Sequence, residues 1–278
     1  MELSEQAVTN VFTMALREDI GSGDLTTKLL VPPDARCRAL LLLEEPGVVC
    51  GIPVATAVFQ TLDPTVTLTP KRDEGTRIGT APAVLAELAG PAAAILSGER
   101  TALNLVARLC GIATLTRRYV DQVAGSGVTI LDTRKTTPGL RALEKYAVRC
   151  GGGRNHRFGL DDAILVKENH LRIVGGISNA AAKLAGHTNG VPVEVEAETL
   201  DQVDEALKAG IERILLDNMT PEQVAQAVEL AGGRAKLEAS GGITLGSIRA
   251  YAETGVDYIS IGALTHAARS LHLSLELQ

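Results

Sequence analysis

Several short apolar runs end in groups that can do chemistry: Asp132-Thr133-Arg134-Lys135, Lys167, Glu196, Asp217, Glu238 to Ser240, and Gly262. In parallel α/β architectures the ligand sits beyond the carboxyl ends of the strands, so such residues share one rim. Glu196 and Asp217 close successive runs. Together they could hold a hard divalent cation through oxygen, directly or through water, as Mg²⁺ sites with phosphate substrates usually do. Thr133 to Gly139 (TRKTTPG) is a loop crowded with donors. Lys135 within it could be a Schiff-base nucleophile if desolvated, or a fixed cation against an anionic ligand. Neighbouring Arg134 would depress the amine and an anionic substrate would oppose that shift, so both readings stand at this point. Gly151-Gly152-Gly153 leads into Arg154-Asn155-His156-Arg157. With Arg157 beside it and no apolar context, His156 is expected to touch the ligand.

Two glycine-containing turns complete the set. Ser240-Gly241-Gly242, and Ile261-Gly262-Ala263 one run later, present backbone N–H groups near helix starts, which suits a phosphate. They fall on the last two strands, where barrels often place a phosphate site. Charge is focused in the same region. From Arg134 to Arg172 there are nine bases against four acids, so the rest of a chain of net charge −6 carries −11. An acidic protein with such a stretch is expected to hold a focused anion site. Arg141, Lys145 and Arg149 repeat at i, i+4 and i+8 and read as a solvated helix face. Arg134, Lys135, Arg157 and Lys167 lie outside that stripe.

The elements that must position these residues follow from apolar patterning. Residues 128–132, 163–167, 192–196, 213–217, 236–240 and 258–262 read as buried parallel strands. Helices are expected over 200–209, 221–231 and 245–254, the second opening on Thr220-Pro221. Strand ends at Glu196, Asp217, Ser240 and Gly262 are 21, 23 and 22 residues apart, one βα unit each. A (β/α) barrel gives this rhythm, and an open doubly wound sheet gives a similar one. Earlier in the chain, strands are expected at 37–44, 48–51, 66–71 and 84–88, with helices at 53–62 and 91–109. The reading is a small α+β domain over 1–110 and a barrel over 111–270. Residues 271–278, alternating LHLSLEL, could return to the first domain as an edge strand or a helix.

Composition narrows the function. The 278 residues are 45% hydrophobic and 22% charged, a globular profile. The polar residues 1–10 and the absence of any long apolar run argue against a leader or a membrane span, and the cytoplasm is the expected location. Cys37, Cys50, Cys110 and Cys150 make no CxxC pair, so reduced thiols are expected in place of a zinc site or a disulfide framework. No Trp, 3 Phe and 4 Tyr leave little to stack bases on, and the net acidity disfavours nucleic acid. A small-molecule enzyme remains.

Taken together, the motifs resemble one family. They are EDIGSGDLTT (18–27), GERTALN (98–104), DTRKTTPGL (132–140), NHR (155–157), VKENH (166–170), VEVE (193–196), LDNM (216–219), EASGGI (238–243) and ISIGALTH (259–266). In this order they look like the signature set of quinolinate phosphoribosyltransferases. The resemblance implies an N-terminal α/β sandwich and a C-terminal type II phosphoribosyltransferase barrel, in a homodimer or an assembly of dimers. It implies Mg²⁺-dependent transfer of phosphoribose from phosphoribosyl pyrophosphate (PRPP) to quinolinate with loss of CO₂, in de novo NAD biosynthesis. On that pattern Arg100 reaches across the interface to quinolinate, joining Thr133, Arg134, His156, Arg157 and Lys167. Lys135 lies between the substrates, Lys167 also serves PRPP, and Glu196 and Asp217 bind the ribose hydroxyls and the metal. The turns at Ser240, Gly241 and Gly242 and at Ile261, Gly262 and Ala263 hold the 5-phosphate. The alternatives are a related enzyme acting on another base, a Schiff-base lyase on the same barrel, or a phosphate-sensing protein without turnover.

Overall fold

The computed structural model describes residues 5–188 and 190–278. The expectation of no leader rests partly on residues 1–4, which lie outside that range. Among the described residues no helix is long and apolar enough to cross a membrane.

The chain begins with helices α1 (Glu5–Ile20) and α2 (Leu25–Leu30), followed by strands β1 (Arg36–Leu43) and β2 (Gly47–Val48). Helix α3 (Ile52–Leu62), strands β3 (Thr67–Pro70), β4 (Arg77–Ile78) and β5 (Ala83–Pro91), and the long helix α4 (Ala92–Gln122) come next. Then follow β6 (Thr129–Leu131), α5 (Arg141–Cys150), β7 (Ile164–Val166), α6 (Glu168–Val174), α7 (Ile177–Leu184) and β8 (Val193–Ala197). The remainder is α8 (Leu200–Lys208), β9 (Arg213–Asp217), α9 (Pro221–Ala231), β10 (Lys236–Ser240), α10 (Ile248–Ala252), β11 (Tyr258–Ser260), α11 (Ala263–His266) and β12 (Leu273–Leu277).

These elements form two compact units, one of residues up to 117 with 136–152 and 263–278, the other of 118–135 with 153–262. The first unit carries an antiparallel sheet in the order β12-β1-β5-β3, with Ala39 opposite Leu277 and Leu43 opposite Leu273. Its core is built on Leu41, Leu43, Phe59, Leu85, Leu88 and Ile95, all but fully buried. Gly51, at φ +105°, turns the chain into α3, and Pro53 suits the opening turn. The Glu74 carboxylate accepts from the N–H of Gly51 at 2.8 Å and of Ile52 at 2.9 Å, satisfying donors that a helix start leaves unpaired.

Helix α5 belongs to this unit and corrects the reading of Arg141, Lys145 and Arg149 as a solvated face. Lys145 is only 2% exposed and Glu144 is fully buried. Charge spacing matched a surface helix, but the same stripe also packs inward, with polar groups engaging polar groups. Glu144 Oε1 accepts from Arg108 Nη2 at 2.9 Å and from Thr137 Oγ1 at 2.8 Å, and its Oε2 accepts from the Thr137 N–H at 3.1 Å.

The second unit is a six-stranded parallel sheet in the order β6-β11-β10-β9-β8-β7. Read as a circuit this is the chain order with one seam between β6 and β7, as in a barrel. A doubly wound sheet would reverse direction at a switch point, and none occurs. Residue 154 extends the wall, since Arg154 N donates to Ile130 O and Arg154 O accepts from Asp132 N. Strand interiors such as Ile214 to Leu216 are buried, which is why they read as unbroken apolar runs. Thr199 and Thr220 cap α8 and α9, each with Gln three residues on completing a capping box. These caps fix where each strand hands over to its helix, and so where the rim residues stand.

Candidate functional site

The carboxyl ends of the parallel strands in the second unit surround a cavity of about 520 Å³. Volumes of a few hundred Å³ suit small-molecule ligands. Four cations expected from the sequence line it: Arg134, Lys135, Arg157 and Lys167. So do the carboxylates of Glu196 and Asp217, the hydroxyl-bearing Thr133 and Ser240, and Gly241 and Gly242. His156 is also in the wall.

The cations are crowded in a way that asks for an anion. Arg134 Nε is buried and has no hydrogen-bond partner. Arg157 is shifted below the usual guanidinium range, first by burial and then by the charge of Arg134, against the pull of Asp162 and Glu194. Two guanidinium groups this close gain most from a ligand with two negative charges. The Arg157 head is steered by Nη1, which donates to Ala163 O at 3.0 Å.

The acids at the strand tips are held by their neighbours. Glu196 Oε2 accepts from the Glu168 N–H at the start of α6, 3.0 Å away, and Oε1 lies 4.0 Å from Lys167 Nζ. Asp217 Oδ2 accepts from Asn218 Nδ2 at 2.7 Å. Both carboxylates sit on adjacent parallel strands with oxygen as their ligating atom, which is the donor chemistry of a hard cation such as Mg²⁺.

Asn218 also explains a glycine. It takes the left-handed conformation, φ +56°, and its N–H donates to Ser240 O at 2.9 Å. A Cβ on Gly241, itself at φ +98°, would stand 2.2 Å from Asn218 Oδ1. Only glycine fits there, and the turn keeps its backbone exposed to the cavity. The second turn differs from expectation. Ile261 is buried and its N–H donates to Leu131 O at 2.9 Å, so it is not a phosphate donor. Ile261, Gly262 and Ala263 are not among the lining residues, and neither is Arg100, whose side chain on α4 is 64% exposed.

His156 has a further task within the protein. Its Nδ1 accepts from the Arg157 N–H at 2.7 Å, so the ring proton is on Nε2, which lies 2.9 Å from Glu194 Oε2. Both ring nitrogens engage protein, and the ring orients the Arg157 backbone from its place in the cavity wall. Asp132, fully buried, holds the same segment by accepting from the His156 N–H at 2.8 Å and from Asn155.

Beneath the rim, Glu238 meets partners that spacing alone does not reveal. Arg213 Nε donates to Glu194 Oε1 at 2.9 Å, and its Nη2 donates to Glu238 Oε2. The Tyr258 ring packs 4.6 Å from the guanidinium. Burial would raise the Glu194 carboxyl, but the His156 hydrogen bond and the Arg213 charge outweigh it and hold the group below its usual range. Glu238 goes the other way, pushed up by burial and then by the charge of Glu194. His156, Glu194 and Glu238 converge within 4.8 Å, but Arg213 already supplies the cation that a metal would bring.

Comparison with known proteins agrees along the whole length. Residues 24–110 match the family described as "Quinolinate phosphoribosyl transferase, N-terminal domain", and residues 112–276 match its C-terminal domain. The chain is 47% identical over 263 residues to the probable nicotinate-nucleotide pyrophosphorylase (carboxylating) of Bacillus subtilis strain 168, spanning 94% of this chain and 90% of that protein. It is 42% identical over 280 residues to the nicotinate-nucleotide pyrophosphorylase (carboxylating) of Mycobacterium leprae, spanning 98% and 97%. Among solved structures, NadC from Streptococcus pyogenes superposes with a TM-score of 0.95 at 39% identity, covering 100% of this chain and 99% of that one.

Proposed function

Because the chain belongs to the quinolinate phosphoribosyltransferase family, we propose that it joins quinolinate to PRPP and releases pyrophosphate and CO₂, giving nicotinate mononucleotide for NAD biosynthesis. The observation that carries this reading is the Arg134–Arg157 pair, one guanidinium nitrogen of which is buried without a partner in the cavity. Quinolinate has two carboxylates on one planar ring, and guanidinium groups fix planar acids in a single orientation.

The residues then divide the work. Arg134, Arg157 and Lys167 bind the quinolinate carboxylates, with Thr133 beside them and Lys135 between the two substrates. His156 sets the Arg157 backbone. In a homodimer, Arg100 of a second copy adds a further cation. Ser240, Gly241 and Gly242 hold the 5-phosphate of PRPP, and Glu196 and Asp217 face the ribose hydroxyls. Glu196 and Asp217 are also the residues that would hold Mg²⁺, which when bound supplies charge to stabilise departing pyrophosphate. As that bond lengthens, positive charge grows on the ribose C1, and the two strand-tip carboxylates stabilise it. The pyridine nitrogen attacks from the opposite face. The electrons of the bond to the C2 carboxylate then stay on C2, where the adjacent positive nitrogen stabilises them, and the carboxylate leaves as CO₂.

A lysine-based lyase is less well supported, because Lys135 and Lys167 share the cavity with two guanidinium groups and two carboxylates, a set that suits anion binding. The test is to mix purified protein with Mg²⁺, PRPP and either quinolinate or nicotinate. One pyrophosphate and one CO₂ per nucleotide from quinolinate are expected, with loss of turnover in excess EDTA. Turnover of nicotinate but not quinolinate would overturn the substrate assignment.

A further inference from the structure

The reaction proposed above consumes one proton. When the bond to the C2 carboxylate breaks, its electron pair stays on C2 beside the quaternary nitrogen, and that carbon recaptures CO₂ unless it gains hydrogen, so CO₂ escapes and nicotinate mononucleotide forms only with proton transfer. Resting on that reading of the site, we propose that Glu238 is the proton donor: its Oε1–H bond breaks, a C2–H bond forms, and the resulting carboxylate is reprotonated by water before the next turnover.

The placement of Glu238 supports the role. It lies on β10, its side chain is fully buried, and it lines the cavity. Its two oxygens are used differently. Oε2 accepts from Arg213, whereas Oε1 is buried without a hydrogen-bond partner and lies 3.5 Å from His156 Nε2.

Charge balance places the proton. The groups facing Glu238 are His156 from the segment after Gly153, Glu194 on β8, Arg213 on β9 and Tyr258, its register partner on β11. Arg213 is the one fixed cation among them, and it is shared by Glu194 and Glu238. The His156 Nδ1 accepts a backbone N–H, and its Nε2 is directed at Glu194. One guanidinium therefore balances one carboxylate, and Glu194, bonded by both His156 and Arg213, is the charged one. The proton belongs on Glu238, at the oxygen that Arg213 does not hold. Burial and the neighbouring Glu194 charge favour the same state. A second bare carboxylate in the floor would repel a substrate dianion, whereas a carboxylic acid does not. Lys135 and Lys167 are cations suited to holding carboxylates, and His156 directs its proton at Glu194, which leaves Glu238 as the neutral acid of the cavity.

Single-turnover measurements with quinolinate labelled in the C2 carboxylate separate the two chemical steps. Glu238→Gln keeps the shape and a hydrogen-bond donor but has no acidic proton to give. Its pyrophosphate release should stay near the wild-type rate, while CO₂ release falls about 100-fold or more, the usual worth of a positioned acid. Ribosylated quinolinate should accumulate. Glu238→Ala should show the same split, with CO₂ release restored by added formate and not by formamide. CO₂ release from Glu238→Gln at the wild-type rate overturns the assignment, and so does an equal loss of both releases in both variants, which marks a structural role. A wild-type protein that forms no nucleotide would overturn the reading of the site, and this assignment with it.

Discussion

Arg134→Ala should weaken quinolinate binding by about 2–5 kcal/mol, roughly 30- to 5000-fold in Kd, while changing PRPP binding far less. The size follows from what is lost. A charged group in a closed wall faces a charged ligand, and removing one partner leaves the other without compensation. The Arg134 Nε has no protein partner to lose, so truncation costs the free protein little. It also relieves Arg157, whose protonation Arg134 opposes. The variant should therefore fold at least as stably as the parent while binding quinolinate poorly. A group whose removal costs binding but not stability serves the ligand. Titration calorimetry with quinolinate, alongside thermal denaturation without ligand, gives both numbers. Unchanged affinity for quinolinate would remove Arg134 from the site.

Glu144→Ala should behave oppositely, costing about 3–5 kcal/mol of stability. Glu144 is fully buried and is the carboxylate partner of Arg108, with Arg108 Nε at 3.2 Å and Nη2 at 2.9 Å from its Oε1. Arg108 also donates through Nη1 to Ala268 O at 2.7 Å and through Nη2 to Thr265 O, which fixes the guanidinium in place. It cannot swing out to water when Glu144 is lost, so a largely buried cation is left without its counter-charge. The same substitution frees the Thr137 N–H and hydroxyl, and Thr137 ends the short loop that carries Arg134 and Lys135. Urea denaturation checks the stability. A loss below 1 kcal/mol would show that Arg108 finds another partner.

How much of this was legible beforehand depends on the kind of signal. Most strands of the second unit were plain because they are short, largely apolar runs with buried interiors, as at Ile214 to Leu216. Rim residues followed from strand polarity alone: an acid or a base at a strand end has few places to go but the mouth. The helix over Arg141 to Cys150 was visible as a helix but not as a buried one. Spacing reveals which side chains share a face, not whether another element carries the matching charge, and here Arg108 lies 36 residues earlier in the chain.

The floor of the cavity was harder still. Glu238 was visible near a strand end and Glu194 within a strand, but spacing gave neither one a partner. In a closed parallel wall the inward face is an interior, and only the three-dimensional pairing shows that Arg213 and His156 neutralise them. His156 itself was assigned to the ligand because Arg157 follows it. Its second role, accepting a backbone N–H at Nδ1, has no trace in composition or spacing. Ile261 differs from expectation, since a Gly-Ala turn near a helix start resembles a phosphate loop until its N–H is found in the sheet. Asn218 left a clue in the pairing of Asp217-Asn218 with Gly241-Gly242, whose turns now prove to touch.

The central claim is that the cationic wall binds both carboxylates of quinolinate. A crystal structure with quinolinate and Mg²⁺ tests it most directly. The account predicts the ring in the 520 Å³ cavity with its carboxylates on Arg134, Arg157 and Lys167 and its C2 edge toward Glu238. Quinolinate bound elsewhere, with Arg134 Nε still unpartnered, would contradict it.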